Sequence, residues 1–448
     1  MVKMCVTIPE TFGIRRIDVR EKLVNLKAKN AGIVGVLSSR KLSEFNEKIR
    51  LFFVQKTAKS TCHNLQKIRF KRFGYASLYL LCFLSGNIYA IPEVQVKGST
   101  STSPGDSIEI LERYIAIDNV CAWPNLTRIS DGSLVATIFN QPSHGRKLGD
   151  VECWSSHDGK LWQKAGTPAI HDPHTNRMNV AAGLSTSGEL IVLASGWEVS
   201  GDPEKEENVK LINVLRPWVS ISKNNGRDWT VNKSGFPEAE TGMTNFVPFG
   251  DILEAADGSL RVIGYAQSLD KAINKVSMFR SDDNGRSWTM LAKISTGSGE
   301  SALAKGHNET ALYHLGNGEW IAAARRWRAG ASLDLFRSTD DGKTWNIESE
   351  LTQGRQHPAH ITRLENGRLL LTYGNRISGK YGVAIKTSDD KGRSWSDEII
   401  LFSQDFSADI GYPSSVQMEN GNIVTAYYAS KVENHDRYHM GTLIWKIK

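Results

Sequence analysis

Cysteine is scarce here, with five in 448 residues. Only Cys121 and Cys153 lie beyond residue 90. Two cysteines make no disulfide framework, and without a second pair or a histidine cluster at ligand spacing they make no zinc site. Both read as core residues. Helical periodicity is nearly absent after residue 105. That excludes an ordinary α/β enzyme, whose strands alternate with helices. No Gly-rich phosphate loop and no Ser-His-Asp arrangement stands out, so no nucleotide cofactor is expected. His171 and His174 form an H-x-x-H without a third ligand at a recognisable spacing, so no metal is expected either.

Charge is missing from one stretch altogether. Residues 73–90 carry none, and they follow a strongly basic segment. "KIRFKRFGYASLYLLCFLSGNIYA" has a positive flank, an apolar run from Phe73 to Leu84 and a short tail ending at Ala90. That is the form of a secretory signal. It falls short of the ~20 apolar residues of a membrane span. The expected organisation is a basic leader over 1–72, which a wrongly chosen start codon would explain, and a signal peptide or membrane anchor over 73–90. A linker over 91–107 then precedes one large domain over 108–448. The expected location is secreted, periplasmic or extracellular, with no stable membrane span once the signal is removed. The net charge of +7 misleads. Residues 1–72 hold 17 Lys/Arg against 5 Asp/Glu, whereas 91–448 hold 38 against 43. The large domain therefore gives no electrostatic reason to bind nucleic acid. A monomer is expected.

What the chain has in abundance is repetition. "SDDNGRSW" at 281–288 recurs as "STDDGKTW" at 338–345 and "SDDKGRSW" at 388–395, with looser copies "SSHDGKLW" at 155–162 and "SKNNGRDW" at 222–229. Upstream of each lies a second repeated phrase, two apolar runs around a Gly turn, as in "LTRISDGSLVATIF" and "ITRLENGRLLLTYG". There are six copies of it, the last being "SVQMENGNIVTAYY". Asp-Gly and Asn-Gly between apolar runs signal hairpins, with type I′ turns expected. The unit is strand, turn, strand, loop, strand, box, strand. Four strands repeated about six times predict an all-β, six-bladed β-propeller of four-stranded antiparallel blades. The sixth unit lacks a box. "IEILERYIAI" at 108–117 is expected to supply its outer strand and so join the chain ends. In the box, the third residue caps the turn, the Gly takes a conformation closed to other residues, and the Trp packs on the blade. The boxes hold the fold and do no chemistry.

The repeats match S-x-D-x-G-x-x-W, the Asp-box, and the chain over 108–448 resembles the sialidase (neuraminidase) superfamily. The resemblance implies a glycoside hydrolase that removes a terminal acidic sugar, sialic acid or a relative, from an acidic glycan or oligosaccharide. Such enzymes hold the sugar carboxylate with three arginines and attack with a Tyr whose proton a Glu takes. An anionic nucleophile would be repelled by the carboxylate, which a neutral Tyr avoids. Guanidinium groups bind carboxylates by charge-assisted, often bidentate hydrogen bonds. The resemblance assigns Glu309 and Arg325 in "HNETALYHLGNGEWIAAARRW", with Arg326 as the neighbouring competitor. It assigns Arg376 in "GNRISGKYGVAIK" and the nucleophile Tyr412 in "DIGYPSSVQMENG".

Two parts of the family pattern are missing. Where an R-I-P arginine belongs, this chain has Ala122-Trp123-Pro124. The loop that should carry the acid/base Asp reads "NQPSHGRKLGDVECW", which offers His144 and Asp150 as acid or base and Arg146 beside them. Arg177, His357 and Trp123 complete the expected substrate contacts. Two alternatives follow. One is a polysaccharide lyase on uronate-containing glycans with a His or Tyr base. The other is a glycan-binding propeller without catalysis.

Overall fold

The computed structural model describes residues 107–448 apart from 203–204, 298–304 and 329. The leader, the signal-like segment and nearly all of the linker lie outside the described residues. Among the described residues there are twenty-four strands, a single 3-10 turn at Glu206–Asn208 and no α-helix. No described helix is long and apolar enough to cross a membrane.

The strands form antiparallel four-stranded units in chain order. The first unit runs from Cys121–Arg128 to Gln163–Ala169, and the fifth from Gln356–Arg363 to Ile399–Gln404. The second and third units join into one eight-stranded sheet, because Gly250–Ile252 pairs in parallel with Ala181–Gly183. Ile108–Asp118 pairs with His439–Ile447, so the first strand of the chain is the outer strand of the last sheet.

Burial follows position in the unit. The second strands Leu134–Phe139, Leu369–Asn375 and Ile423–Ala429 are buried at every residue. A strand covered on both faces can be apolar throughout instead of alternating. The fourth strands Thr230–Asn232 and Asn346–Glu350 are exposed at every residue. Cores form between sheets. Ile321, Leu335, Ile361 and Leu371 fill the space between the fourth and fifth, and Trp162, Leu134, Val424 and Ile444 that between the first and sixth.

Five of the six repeated turns differ from expectation; the sixth, Asn317-Gly318, has φ of +54° and +74° at its two central residues, as a type I′ turn requires. In "ISDGS" only Gly132 has a left-handed backbone, at φ +82°, and its N–H donates to the Ile129 carbonyl at 2.9 Å. Gly188, Gly258, Gly367 and Gly421 share that φ while their preceding residues do not. In these five the turn is therefore type I closed by a left-handed Gly, and not type I′, whose two central residues would both need positive φ. The Asp completes it: Asp131 Oδ1 accepts the Ser133 N–H at 2.9 Å.

Each box joins the third strand of a unit to its fourth. Its Ser does more than the sequence suggests. Ser281 Oγ accepts the Gly285 N–H at 2.9 Å, and Ser338 Oγ that of Gly342 at 3.0 Å. The Asp then accepts farther round the turn, as Asp340 does from the Thr344 N–H and hydroxyl. The indole closes the motif, with Trp288 Nε1 donating to the Gly285 carbonyl at 3.1 Å. In the first box this Ser is Ser156, so that copy is one residue shorter.

The box Gly is required twice over. At Gly285 φ is +86°, and a Cβ would lie 2.2 Å from Ile191 Cδ1. At Gly188 φ is +80° with nothing within 4 Å. Gly285→Ala should therefore destabilise the fold more than Gly188→Ala, by about 1–3 kcal/mol, the usual cost of forcing atoms into a packed core. Chemical denaturation of both variants checks this; equal losses would contradict the steric account.

Candidate functional site

Four first strands of the units carry an irregularity near their starts. Register shifts fall between Cys121 and Asn125, His307 and Thr310, Gln356 and Ala359, and Gly411 and Ser414. Trp123, Glu309, His357 and Tyr412 lie inside those four bulges. Bulges re-aim side chains and release residues from the ladder. Three are followed by proline, at Pro124, Pro358 and Pro413, a residue tolerated in a sheet at bulges because it has no N–H to pair. Tyr412 is bent further by its own backbone, at φ +50°.

The bulges bring together residues far apart in the chain. Tyr412 donates its hydroxyl to Glu309 Oε1 at 2.6 Å. Arg325 donates from Nη1 to Glu309 Oε2 at 2.5 Å and to Tyr412 Oη at 3.4 Å. Tyr412 and Glu309 are 7% and 6% exposed. Burial first, and then the Glu309 charge, push the Tyr412 phenol well above its ordinary value. The tyrosine therefore rests neutral beside a base positioned to take its proton. Burial works against the Arg325 cation, but Glu309, with Tyr412 and Tyr265, outweighs it and leaves the guanidinium raised. The neighbouring Arg326 points the other way along the strand, as period-2 alternation requires. It forks onto the buried Asp334, which also takes His307 Nε2 at 2.9 Å. That pairing is structural, and of the two arginines it is Arg325 that lies beside Tyr412.

Arg376 sits on the other side of the tyrosine, its guanidinium carbon 5.4 Å from the Tyr412 ring centre. It donates to His357, through the carbonyl and at 3.1 Å to Nδ1. No carboxylate among the described residues pairs with it. Burial, and then Arg325, Arg376 and Arg355, push the His357 imidazole down to about 2, so it is a neutral acceptor that orients Arg376. Trp123 stacks on Tyr412 with ring centres 4.0 Å apart, and its Nε1 donates to Asn179 Oδ1 at 3.1 Å.

His144 belongs to this group. Its ring meets Trp123 edge-on at 5.2 Å. Its Nε2 lies 3.0 Å from Asp409 Oδ1 and 3.3 Å from the Tyr428 hydroxyl. Tyr428 donates to the same Asp409 oxygen at 2.6 Å, and Tyr438 donates to the other. Burial pushes the Asp409 carboxyl up, but His144 and the two tyrosines outweigh it and hold it at about 2.

Three expected residues have other partners. Asp150 Oδ1 takes the His171 backbone N–H at 2.8 Å and Nδ1 at 2.6 Å. Arg146 is exposed and reaches the Glu206 carbonyl at 3.4 Å. Arg177 is 3% exposed, lies 3.7 Å over the Trp218 ring and donates to the Arg216 carbonyl, and burial lowers it to about 10. None of these contacts is to Tyr412, Glu309 or Trp123. Sequence reasoning missed Asp409, Tyr428 and Tyr438. It also missed Tyr265, whose phenol is raised by burial and then by Glu309. Asp409 had a signal, since it stands three residues before Tyr412. The tyrosines had none: Tyr428 and Tyr265 lie in largely buried strands, and Tyr438 lies just before the last strand. Among the described residues no group of three His, Cys, Asp or Glu could hold a metal ion. Cys121 and Cys153 are free and buried.

Residues 126–425 match a family described as BNR repeat-like domain. Similar solved structures include a protein of unknown function from Dyadobacter fermentans DSM 18053, 22% identical with a TM-score of 0.64, covering 76% of this chain and 99% of that one. The Hadza microbial sialidase Hz136 is 17% identical with a TM-score of 0.54, covering 73% of this chain and 65% of that one. Trypanosoma rangeli sialidase in complex with the inhibitor DANA is 15% identical with a TM-score of 0.54, covering 74% of this chain and 56% of that one. The chain thus spans less than two thirds of both sialidases. At these identities the likeness is one of fold, and the fold is sialidase-like. A search of curated sequences found no match.

The site predicts how stability responds to acid. A free histidine titrates near about 6.5, whereas His357 stays neutral down to about 2. Between those values the unfolded chain binds a proton that the folded one refuses. Folding stability should therefore fall as pH drops below about 6.5. Denaturation midpoints across pH 7 to pH 4 should show a shallower acid slope in His357→Gln than in the parent chain; parallel slopes would refute the assignment.

Proposed function

The chain belongs to the BNR repeat-like domain family, and from that we propose that it is a glycoside hydrolase of the exo-sialidase type acting on a terminal acidic sugar. The observation that carries this reading is the 2.6 Å hydrogen bond from Tyr412 to Glu309, made beside two arginines. In this reading Tyr412 attacks the anomeric carbon as Glu309 takes its proton. Arg376, which has no carboxylate partner among the described residues, binds the sugar carboxylate together with Arg325. Trp123 walls the sugar, and His357 sets the Arg376 geometry. Arg177, Arg146 and Asp150 are assigned no contact with the reacting sugar.

The architecture proposed to support this is a six-bladed propeller closed by Ile108–Asp118. The shared core of the first and sixth sheets, and the Leu126 N–H to Ser414 Oγ bond at 2.9 Å between them, support closure. Ala122, at φ +35° and with no exposure, occupies the R-I-P arginine position. The proposed clamp therefore has two arginines there instead of three, which favours an acidic sugar other than common sialic acid. Export rests on the 67–90 segment alone.

Protein 91–448 and its Tyr412→Phe variant, incubated with a sialoside, a Kdo-type glycoside and uronate-ended oligosaccharides, test the reading. Release of a saturated acidic sugar, reduced about 100-fold or more in the variant, is expected on the scale of losing a nucleophile. An ultraviolet-absorbing unsaturated product would mean a lyase. Binding without turnover would mean a recognition propeller.

A further inference from the structure

The hydrolase reading leaves one post empty. Splitting a glycosidic bond to a sugar or alkyl oxygen needs a proton for the leaving group, and the Asp that sialidases use there has no aligned counterpart in this chain. We propose that His144 delivers this proton and that Asp409 is its positioning residue; the proposal rests on the hydrolase reading above.

The geometry is that of a carboxylate–imidazole dyad beside the tyrosine. His144 lies one aromatic ring from the nucleophile: edge-on to Trp123 at 5.2 Å, with Trp123 stacked on Tyr412 at 4.0 Å. Tyr428 bridges the same two groups, with its ring centre 5.6 Å from both the His144 and Tyr412 rings. The His144 side chain is 40% exposed, so a substrate can reach it. Its Nε2 is occupied by Asp409, whose two oxygens also accept from Tyr428 and Tyr438. Three groups, His144, Tyr428 and Tyr438, thus converge on one carboxylate. Nδ1 has no partner among the described residues. A carboxylate bonded to one imidazole nitrogen stabilises the imidazolium and fixes the direction of the other N–H. The two expected acids are thereby distinguished, because Asp150 is turned to His171.

The step balances without any co-reactant. The Tyr412 oxygen bonds to the anomeric carbon and its proton passes to Glu309. The glycosidic C–O bond breaks, and its electron pair stays on the leaving oxygen, which takes the Nδ1 proton of His144. In the second half neutral His144 takes a proton from water as that water's oxygen bonds to the anomeric carbon. The bond to Tyr412 breaks, and the phenol recovers its proton from Glu309.

A leaving group that departs without a proton separates this role from a structural one. The probes are the 4-methylumbelliferyl glycoside and the lactose glycoside of N-acetylneuraminic acid, or of the acidic sugar released in the preceding panel. Aryl release is read in the first turnover, before water attack matters. His144→Ala should lose about 100-fold or more on the lactose glycoside, the scale of general acid catalysis, and at least about tenfold less on first-turnover aryl release. Asp409→Asn should show the same split with a smaller loss. If removing the buried carboxylate prevents folding, the exposed His144 variant carries the test alone. Equal losses on both probes in His144→Ala, with the parent enzyme active, overturn the dyad and leave the Tyr412 reading standing. No turnover of either probe by the parent chain overturns both.

Discussion

A strand cannot present two consecutive side chains to the same side while it stays in register with its neighbour. The site depends on escaping that constraint. The first strands of four units slip register over the residues that make it, so that Trp123, Glu309, His357 and Tyr412 leave the alternation of their ladders. Proline after three of the four removes a donor that the ladder could otherwise use. The rest of the chain makes those bulges affordable by fixing the strands on either side of them. The fully buried second strands are rigid backing for the irregular first strands.

Electrostatics then sorts the polar groups into two kinds. Asp334 with Arg326 and His307, and Arg261 with Asp341, are closed pairs whose charges cancel within the fold. Around Tyr412 the charges do not cancel. Arg325 is matched by Glu309, but Arg376 meets only a neutral histidine, a carbonyl and an aromatic face. A cation left without an acid beside a concave aromatic surface is an arrangement that a fold does not need, and it costs desolvation to keep. In the proposed reading, that cation is matched by the carboxylate of an incoming sugar. The same reasoning separates Arg177, which has the Asp172 carboxylate at 3.9 Å besides its ring and carbonyl, from Arg376.

The boxes work at the opposite end of each unit. Their Ser, Asp, Gly and Trp satisfy one another, as Ser338, Asp340, Gly342 and Trp345 do. They add nothing to the site, and the fold can repeat them with small changes, such as the shorter turn of Ser156. The last sheet dispenses with a box, because its outer strand comes from the other end of the chain and no hairpin is required there.

Local pattern alone carried the all-β class, the four-strand unit, the box and the outer place of Ile108–Asp118, because period-2 apolar runs and Gly turns act over a few residues. The resemblance, and not the pattern itself, pointed to Glu309, Arg325, Arg376 and Tyr412, which the fold places beside one another. What it could not decide was direction. Whether Arg325 or Arg326 faces the tyrosine follows from the strand's registration against its neighbours. The type I turn at Gly132 depends on one backbone angle that Asp-Gly permits in more than one form. Asp150 and His144 share one loop and look alike as candidates. Only packing turned the first to His171 and the second to Trp123 and Asp409. Asp409, Tyr428 and Tyr438 converge from three segments, and convergence is a property of the tertiary fold, since no spacing along the chain encodes which side chains will share one carboxylate.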